Sequence, residues 1–154
     1  MSDAPHIMIV EARFYEDIAD ELLKGAVAAI KAAGATYEKF SVPGAFEIPA
    51  AVQFALRAQE LDAKRRPFDG YVALGCVIRG ETTHYDYVCG ESARGLQDLA
   101  LRHTLAVGYG ILTVENEAQA WARGRVTEGD KGGTVTRACL DMIKMKRQFG
   151  LPVR

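Results

Sequence analysis

One short segment holds the residue types that could bind an anion and move a proton. It reads G-E-T-T-H over residues 80–84, between the apolar run Tyr71–Ile78 and a stretch with apolar residues at helical spacing. Unpaired N–H groups and a positive dipole at a helix start favour a phosphate, and an imidazole titrates near neutral pH. The segment therefore predicts an anion site beside the acid/base group of His84. Thr82 or Thr83 acting only as a helix cap would explain the same residues.

Two further side chains of possible function follow predicted strands. Phe14 comes after the strand Ile7–Val10, and we expect it near solvent, either as a platform for a heteroaromatic ring or as a hydrophobic staple on the next helix. Glu47 follows the strand Tyr37–Val42 and a Pro-Gly turn, at a helix N-terminus that favours a carboxylate with or without a ligand. Open parallel sheets bind ligands beyond the carboxyl ends of their strands, where Phe14, Glu47 and His84 are all predicted to lie.

The cysteines and histidines show no pattern of a metal site. The chain has three of each, with neither a C-x-x-C nor an H-E-x-x-H motif. Cys76 and Cys89 lie in apolar runs, where a thiol packs as a small hydrophobic group, and Cys139 is predicted to be in the core as well. We therefore expect neither a bound metal nor a disulfide framework.

Length and charge exclude several classes of protein. The 154 residues suit one domain, residues 1–154, without internal repeats or a long linker. A net charge of -1, from 19 basic and 20 acidic residues, gives no overall field for nucleic acid or an anionic membrane. No apolar run approaches the roughly 20 residues that span a bilayer, and the first residues do not resemble a signal peptide. We expect a cytoplasmic protein without nucleic-acid or membrane partners.

Strand and helix patterns alternate along the chain. The first predicted helix is capped by Asp17, buries one stripe and ends at Gly34. Asn116 is predicted to cap a later helix, and residues 124–133 to form a polar turn before the last one. The alternation indicates an α/β, flavodoxin-like three-layer sandwich, with a four-stranded parallel sheet in the order 2-1-3-4 and helices on both faces. The predicted strands are Ile7–Val10, Tyr37–Val42, Tyr71–Ile78 and Ala106–Val114.

Four motifs, in order along nearly the whole chain, resemble lumazine synthases. They are V-P-G-A-F-E-I-P from Val42, G-C-V-I-R-G-E-T-T-H-Y-D-Y-V-C from Gly75, T-V-E-N-E-A-Q-A-W-A-R from Thr113 and D-K-G-G from Asp130. The resemblance implies condensation of 5-amino-6-(D-ribitylamino)uracil with 3,4-dihydroxy-2-butanone 4-phosphate, the penultimate step of riboflavin synthesis. Phosphate and water are released, and no metal or cofactor is needed.

The resemblance also implies a role for each matching residue. His84 would be the acid/base group, and Phe14 would stack on the pyrimidine, whose other face Tyr109 of an adjacent subunit would cover. The ribityl chain would be lined by Ala45, Phe46 and Glu47, and the pyrimidine edge by Cys76, Val77 and Ile78. Phosphate would be held by Glu81 and Thr82, by Lys131, and by Arg123 of the adjacent subunit.

Some residues depart from the family pattern, which commonly has threonine at position 76, a small residue at 81, phenylalanine at 109 and asparagine at 130. Glu81 matters most, because a carboxylate repels phosphate unless the backbone N–H does the binding. The resemblance implies a homopentamer, alone or in a larger shell of pentamers, and the short segment before Ile7 favours the free pentamer. A paralogue that binds lumazine or flavin with little catalysis is the alternative, but it would be expected to lose His84 or Arg123.

Overall fold

The computed structural model describes residues 4–152. Within them, four parallel strands form one sheet in the order β2-β1-β3-β4, which confirms the predicted fold. The strands are β1 (His6–Ala12), β2 (Thr36–Val42), β3 (Gly70–Ile78) and β4 (Val107–Val114). The helices are α1 (Glu16–Ala32), α2 (Ile48–Leu61), α3 (His84–His103), α4 (Glu117–Gly124) and α5 (Lys131–Gln148), and a 3₁₀ turn, Ala45–Glu47, precedes α2.

The sheet is buried on both faces by two separate apolar clusters. Side chains alternate along a strand, so Ile7 and Ile9 of β1 enter one cluster while Met8 and Val10 enter the other. Helices α1, α4 and α5 supply the first cluster, and α2 and α3 supply the second. Double coverage explains why the central strands are nearly continuous apolar runs. In the described part of the chain, no helix is long and apolar enough to cross a membrane.

The predicted buried face of α1 is confirmed, but its predicted N-terminal cap is not. Ile18, Leu22, Ala26 and Ile30 are all buried, and Gly34 ends the helix region with a φ of 69°, a conformation that favours glycine. The assignment of Asp17 as the cap was wrong, because the helix begins at Glu16 with Tyr15 in the N-cap position. Asp17 lies in the first turn instead, where the helix dipole still favours its carboxylate.

The end of the chain is more helical than predicted. Asn116 caps α4 as expected, since its side chain accepts a hydrogen bond from the Gln119 N–H at 2.9 Å. The predicted turn over residues 124–133 was too long, because α5 already begins at Lys131 with the Asp130 carboxylate as its cap. Position 132 lies inside α5 and is a glycine, because a Cβ there would overlap the Leu22 carbonyl oxygen of α1. In the sequence, a glycine required by close helix packing cannot be distinguished from a glycine in a turn.

Candidate active site

A cavity of about 260 Å³ lies at the carboxyl ends of β1 and β3. This is the edge at which open parallel sheets bind their ligands. Six of the side chains predicted for the site line it: Phe14, Ala45, Cys76, Val77, Ile78 and His84. Segments that are far apart in the sequence therefore meet here, since the strands that carry them are neighbours in the sheet.

Phe14 presents an aromatic ring at this cavity. It lies in the loop between β1 and α1, and its side chain is 77% exposed, as predicted. The edge-to-face contact with Tyr15, with 4.9 Å between ring centroids, leaves most of the ring open to solvent. An exposed ring over a cavity offers a surface on which a heteroaromatic ligand can stack.

The end of β3 forms the cavity wall. Cys76, Val77 and Ile78 are half-buried there, in contrast to the fully buried first part of the strand. Burial raises the pKa of the Cys76 thiol to about 12, and Cys89 and Glu117 add to the effect. The thiol is therefore neutral at physiological pH and acts as a wall group without the nucleophilicity of a thiolate.

His84 is the first residue of α3, with an exposed side chain at the cavity. Its backbone N–H donates to the Thr82 Oγ1 at 3.3 Å, so Thr82 does serve part of the capping role that the sequence left open. Thr83 occupies the N-cap position without a side-chain capping bond. The Thr82 hydroxyl accepts this bond through a lone pair and can still donate its proton to a ligand. Glu81 and Thr82 are both exposed.

Arg79, the arginine nearest to this loop in sequence, is committed to protein partners. Its Nε lies 2.9 Å from both carboxylate oxygens of Glu115, and its Nη1 lies 3.5 Å from Asp86. The guanidinium also lies over the Tyr85 ring, 4.3 Å from the centroid. Arg79 thus ties the end of β3 to Glu115, which follows β4, and to the start of α3.

The remaining predicted residues do not line this cavity. Phe46 and Glu47 directly follow Ala45 in the 3₁₀ turn, with exposed side chains. Arg123 is exposed near the end of α4 and donates from Nη1 to the Gln119 carbonyl at 3.1 Å. Lys131 is exposed at the start of α5. Tyr109 is half-buried in β4, and its hydroxyl lies 2.9 Å from the Ser92 Oγ of α3.

Four lining residues were not predicted as site residues: Ala12, Tyr15, Gly44 and Val88. Burial raises the pKa of Tyr15, with Cys76 and Glu117 adding to the effect, so its hydroxyl stays neutral and can donate a hydrogen bond. Val88 could have been found from helical spacing, because residues four apart share a helix face and Val88 lies four after His84. Ala12 and Gly44 adjoin predicted segments but carry no chemical signal.

A larger cavity, of about 440 Å³, lies beside edge strand β2 and helix α2. Its walls are largely apolar, with Phe40, Phe54 and Phe68, and Arg65 and Arg66 also line it. None of the predicted site residues lines it, and it lacks an imidazole. The smaller cavity is therefore the candidate active site.

In residues 4–152 no group of three or more His, Cys, Asp or Glu side chains could hold a metal ion.

Comparisons with known proteins identify the family of the chain. The family model of 6,7-dimethyl-8-ribityllumazine synthase matches residues 4–147. The chain is 60% identical over 145 residues to "6,7-dimethyl-8-ribityllumazine synthase 1" of Rhizobium meliloti, covering 94% of each chain. It is 56% identical over 146 residues to the synthase of Agrobacterium fabrum, covering 95% of this chain and 97% of the relative. These matches span almost the whole fold, and the chain therefore belongs to the 6,7-dimethyl-8-ribityllumazine synthase family.

Proposed function

We propose that the chain condenses 5-amino-6-(D-ribitylamino)uracil with 3,4-dihydroxy-2-butanone 4-phosphate to 6,7-dimethyl-8-ribityllumazine, with release of phosphate and water, in the cavity at the carboxyl ends of β1 and β3. One observation carries the proposal: in a chain of this family, the exposed aromatic ring of Phe14 and the imidazole of His84 line the same cavity. The steps are imine formation, elimination of phosphate and ring closure. Each of them moves protons, and none requires a metal or a cofactor.

Phe14 stacks on the pyrimidine, and Cys76, Val77 and Ile78 hold its edge. The end of β3 fits this role, because β1 pairs with β3 only as far as Glu11 and Leu74. Backbone N–H and C=O groups of the last β3 residues on that side can therefore pair with a planar polar ring. Ala45, Phe46 and Glu47 follow the ribityl chain, where the exposed Glu47 carboxylate accepts hydrogen bonds from hydroxyls. Five of these residues line the cavity: Phe14, Ala45, Cys76, Val77 and Ile78.

His84 transfers protons between the reacting atoms. Its position at the head of α3 places the imidazole beside the cavity and next to Glu81 and Thr82. Phosphate binds at this turn through backbone N–H groups and the Thr82 hydroxyl, so the Glu81 side chain can point outward. The imidazole is then close to both the bond that breaks and the phosphate that leaves.

Arg123 and Lys131 supply the positive charge for the phosphate. A guanidinium suits this task because its planar fork can donate two parallel hydrogen bonds to phosphate oxygens. Arg123 is exposed and bonded only through Nη1 to the backbone of its own helix, among the contacts of residues 4–152. Its other N–H groups are thus able to reach a ligand.

The active form is a homopentamer, alone or in a larger shell of pentamers, and it acts in the cytoplasm as a single-domain enzyme. Each active site takes Phe14 and His84 from one subunit and Tyr109 and Arg123 from the next. Support comes from the position of Tyr109 and Arg123, since neither lines the cavity of its own chain. A ring interface joins two different surfaces, which allows one site at each interface.

Mixing the purified protein with both substrates tests the proposed reaction. We expect the fluorescence of the lumazine product to rise, with one phosphate released per product molecule. Absence of turnover together with tight binding of the lumazine would favour the binding paralogue. Absence of both would reject the proposal.

A further inference from the structure

A buried carboxylate lies next to the candidate active site without lining it. Glu11 in β1 is only 1% exposed. One carboxylate oxygen accepts a hydrogen bond from Arg13 Nη1 at 2.8 Å. The other accepts one from the Ser41 hydroxyl at 3.1 Å and lies 3.3 Å from Lys39 Nζ. Burial of a charge is costly unless it is paired, so this carboxylate holds its partners firmly.

Arg13 connects that carboxylate to helix α1. Its Nη2 forms an ion pair with Asp20, which lies in the second turn of the helix. Burial alone would lower the pKa of Arg13, but the hydrogen bonds to Glu11 and Asp20 outweigh it and raise the pKa. The guanidinium therefore stays charged and braces the loop that leads from β1 into α1.

The braced residues and the cavity residues alternate along this loop. Ala12, Phe14 and Tyr15 line the cavity, whereas Glu11 and Arg13 bond to each other and do not line it. Phe14 itself is largely exposed and has few contacts that could fix its position. The side chains of Glu11 and Arg13 thus tie this segment to β2 and to α1.

We propose that Glu11 and Arg13 are positioning residues that hold Phe14 over the cavity for the stacking of the substrate pyrimidine. The inference rests on the proposed function, because it assigns these residues a task in binding the aminouracil. Stacking on Phe14 is present in the bound substrate and in the transition state alike, so loss of the brace weakens binding more than it slows the chemistry. The phosphate of the second substrate is held by the turn at Glu81 and Thr82 rather than by Phe14, so the KM for that substrate should change little.

The test compares Glu11→Gln, which keeps the shape and removes the charge, with the wild type. We expect the KM for the aminouracil and the Kd for 6,7-dimethyl-8-ribityllumazine to rise about tenfold, while kcat and the KM for the butanone phosphate change less than about twofold. Arg13→Lys keeps the charge but cannot span both carboxylates, and the same shift is expected. Because Arg13 is less buried than Glu11, this variant carries the test if Glu11→Gln does not fold.

Asp69→Asn is the matched control. The Asp69 carboxylate is also largely buried, accepts a hydrogen bond from the His6 N–H at 2.7 Å and lies 3.7 Å from an Arg147 nitrogen, but it precedes β3 at the other end of the sheet. This variant should lose stability and leave both KM values unchanged. A general loss of stability therefore cannot be mistaken for loss of positioning.

A double variant shows whether the brace acts through the ring. If it does, Glu11→Gln combined with Phe14→Ala has the same KM and Kd as Phe14→Ala alone. Unchanged KM and Kd in both brace variants, or additive effects in the double variant, would overturn the inference. Wild-type turnover decides the proposed function separately. If turnover is absent, the Kd values of the variants for 6,7-dimethyl-8-ribityllumazine still test whether Glu11 and Arg13 position Phe14.

Discussion

The hydroxyl of Tyr109 in β4 lies 2.9 Å from the Oγ atom of Ser92 in α3. The Ser92 hydroxyl also donates to the Cys89 carbonyl at 3.0 Å, so the Tyr109 hydroxyl can donate in turn to Ser92. Burial raises the pKa of Tyr109, although the bond to Ser92 lowers it, and the phenol stays neutral. The bond fixes the ring against α3 of its own chain, at a position where the resemblance to the family leads us to expect phenylalanine.

Tyr109→Phe should therefore keep nearly full activity. It removes one partly buried hydrogen bond, for which we expect a loss of about 1 kcal/mol in the free energy of unfolding. Ser92 keeps its bond to the Cys89 carbonyl, so no buried group is left without a partner. Steady-state kinetics and urea unfolding check both values, with Tyr109→Ala as the variant that should raise the KM for the aminouracil. An inactive Tyr109→Phe enzyme would show that the hydroxyl takes part in the reaction.

The fold could be predicted from the sequence because its signals are local. Apolar runs indicate buried strands, and apolar residues at helical spacing, such as Ile18 to Ile30, indicate the face of a helix that packs on the sheet. The alternation of strands and helices indicates a parallel sheet, and the order 2-1-3-4 is the one expected of a flavodoxin-like fold. The start of α5 could not be predicted, because Gly132 is required by close packing against Leu22 of α1 and Gly133 by the space that the Asp130 cap occupies, and both depend on the folded structure. The prediction of an Asp17 cap failed because α1 begins two residues earlier than such a cap would place it, with Tyr15 in the N-cap position and no side-chain capping bond.

The candidate site was predictable only where residue chemistry marks it. Phe14 and His84 carry such chemistry, and the resemblance added the strand end at Cys76. The brace between Glu11 and Arg13 was not predicted, because a charged pair two residues apart is usually solvated surface in a sequence. Its burial arises from Lys39 and Ser41 of the neighbouring strand, which sequence spacing does not show.

Stability should fall at high pH because of Cys139. Burial raises the pKa of this thiol to about 12, while an unfolded cysteine titrates near 8.5. Between these pH values the unfolded chain releases the thiol proton and the folded chain keeps it. The contribution of Cys139 to stability is therefore complete below about pH 8.5 and declines toward pH 12. At pH 10 the loss is of order 2 kcal/mol. The check is urea unfolding at pH 7.5 and pH 10.

Cys139→Ala isolates this contribution, since it removes the thiol from both states. We expect the variant to be less stable at pH 7.5 and to lose less on going to pH 10 than the wild type. Val135→Ala, in the same helix and core cluster, removes volume without a titrating group and should keep the wild-type loss. Equal losses for Cys139→Ala and the wild type would contradict the prediction.

His84→Ala should slow the reaction without abolishing it. General acid/base catalysis contributes roughly 10² to 10⁴-fold, while positioning of the two substrates supplies the rest. His103→Ala is the control, because it removes an imidazole from the other end of α3. Steady-state rates between pH 6 and 8 are the measurement. Rates of His84→Ala equal to the wild type over this range would exclude a role in proton transfer.

Arg123→Lys should raise the KM for the butanone phosphate more than the KM for the aminouracil. Lysine keeps the charge but lacks the planar fork that donates two hydrogen bonds to a phosphate. Arg125→Lys is the matched control, since Arg125 lies over the Trp121 ring at 4.9 Å and pairs with Glu128 at 3.4 Å. Equal effects of Arg123→Lys on both substrates would count against the phosphate assignment.

The last prediction concerns sites shared between subunits. Each proposed site takes His84 from one subunit and Arg123 from the next, so a chain with His84→Ala can supply the arginine and a chain with Arg123→Ala the imidazole. When the two variants are unfolded and reassembled in equal amounts, about one quarter of the interfaces should regain a complete site under random mixing.

Activity of the mixture should then exceed the mean of the two parent proteins, and rings reassembled from one variant alone are the control. Native mass spectrometry shows whether mixed rings have formed, and light scattering gives the size of the assembly. A second control mixes His84→Ala with His84→Ala/Arg123→Ala, a pair in which no interface can regain an imidazole. If mixed rings form and their activity equals the parental mean, each site lies within one subunit, and Arg123 must then reach the cavity of its own chain.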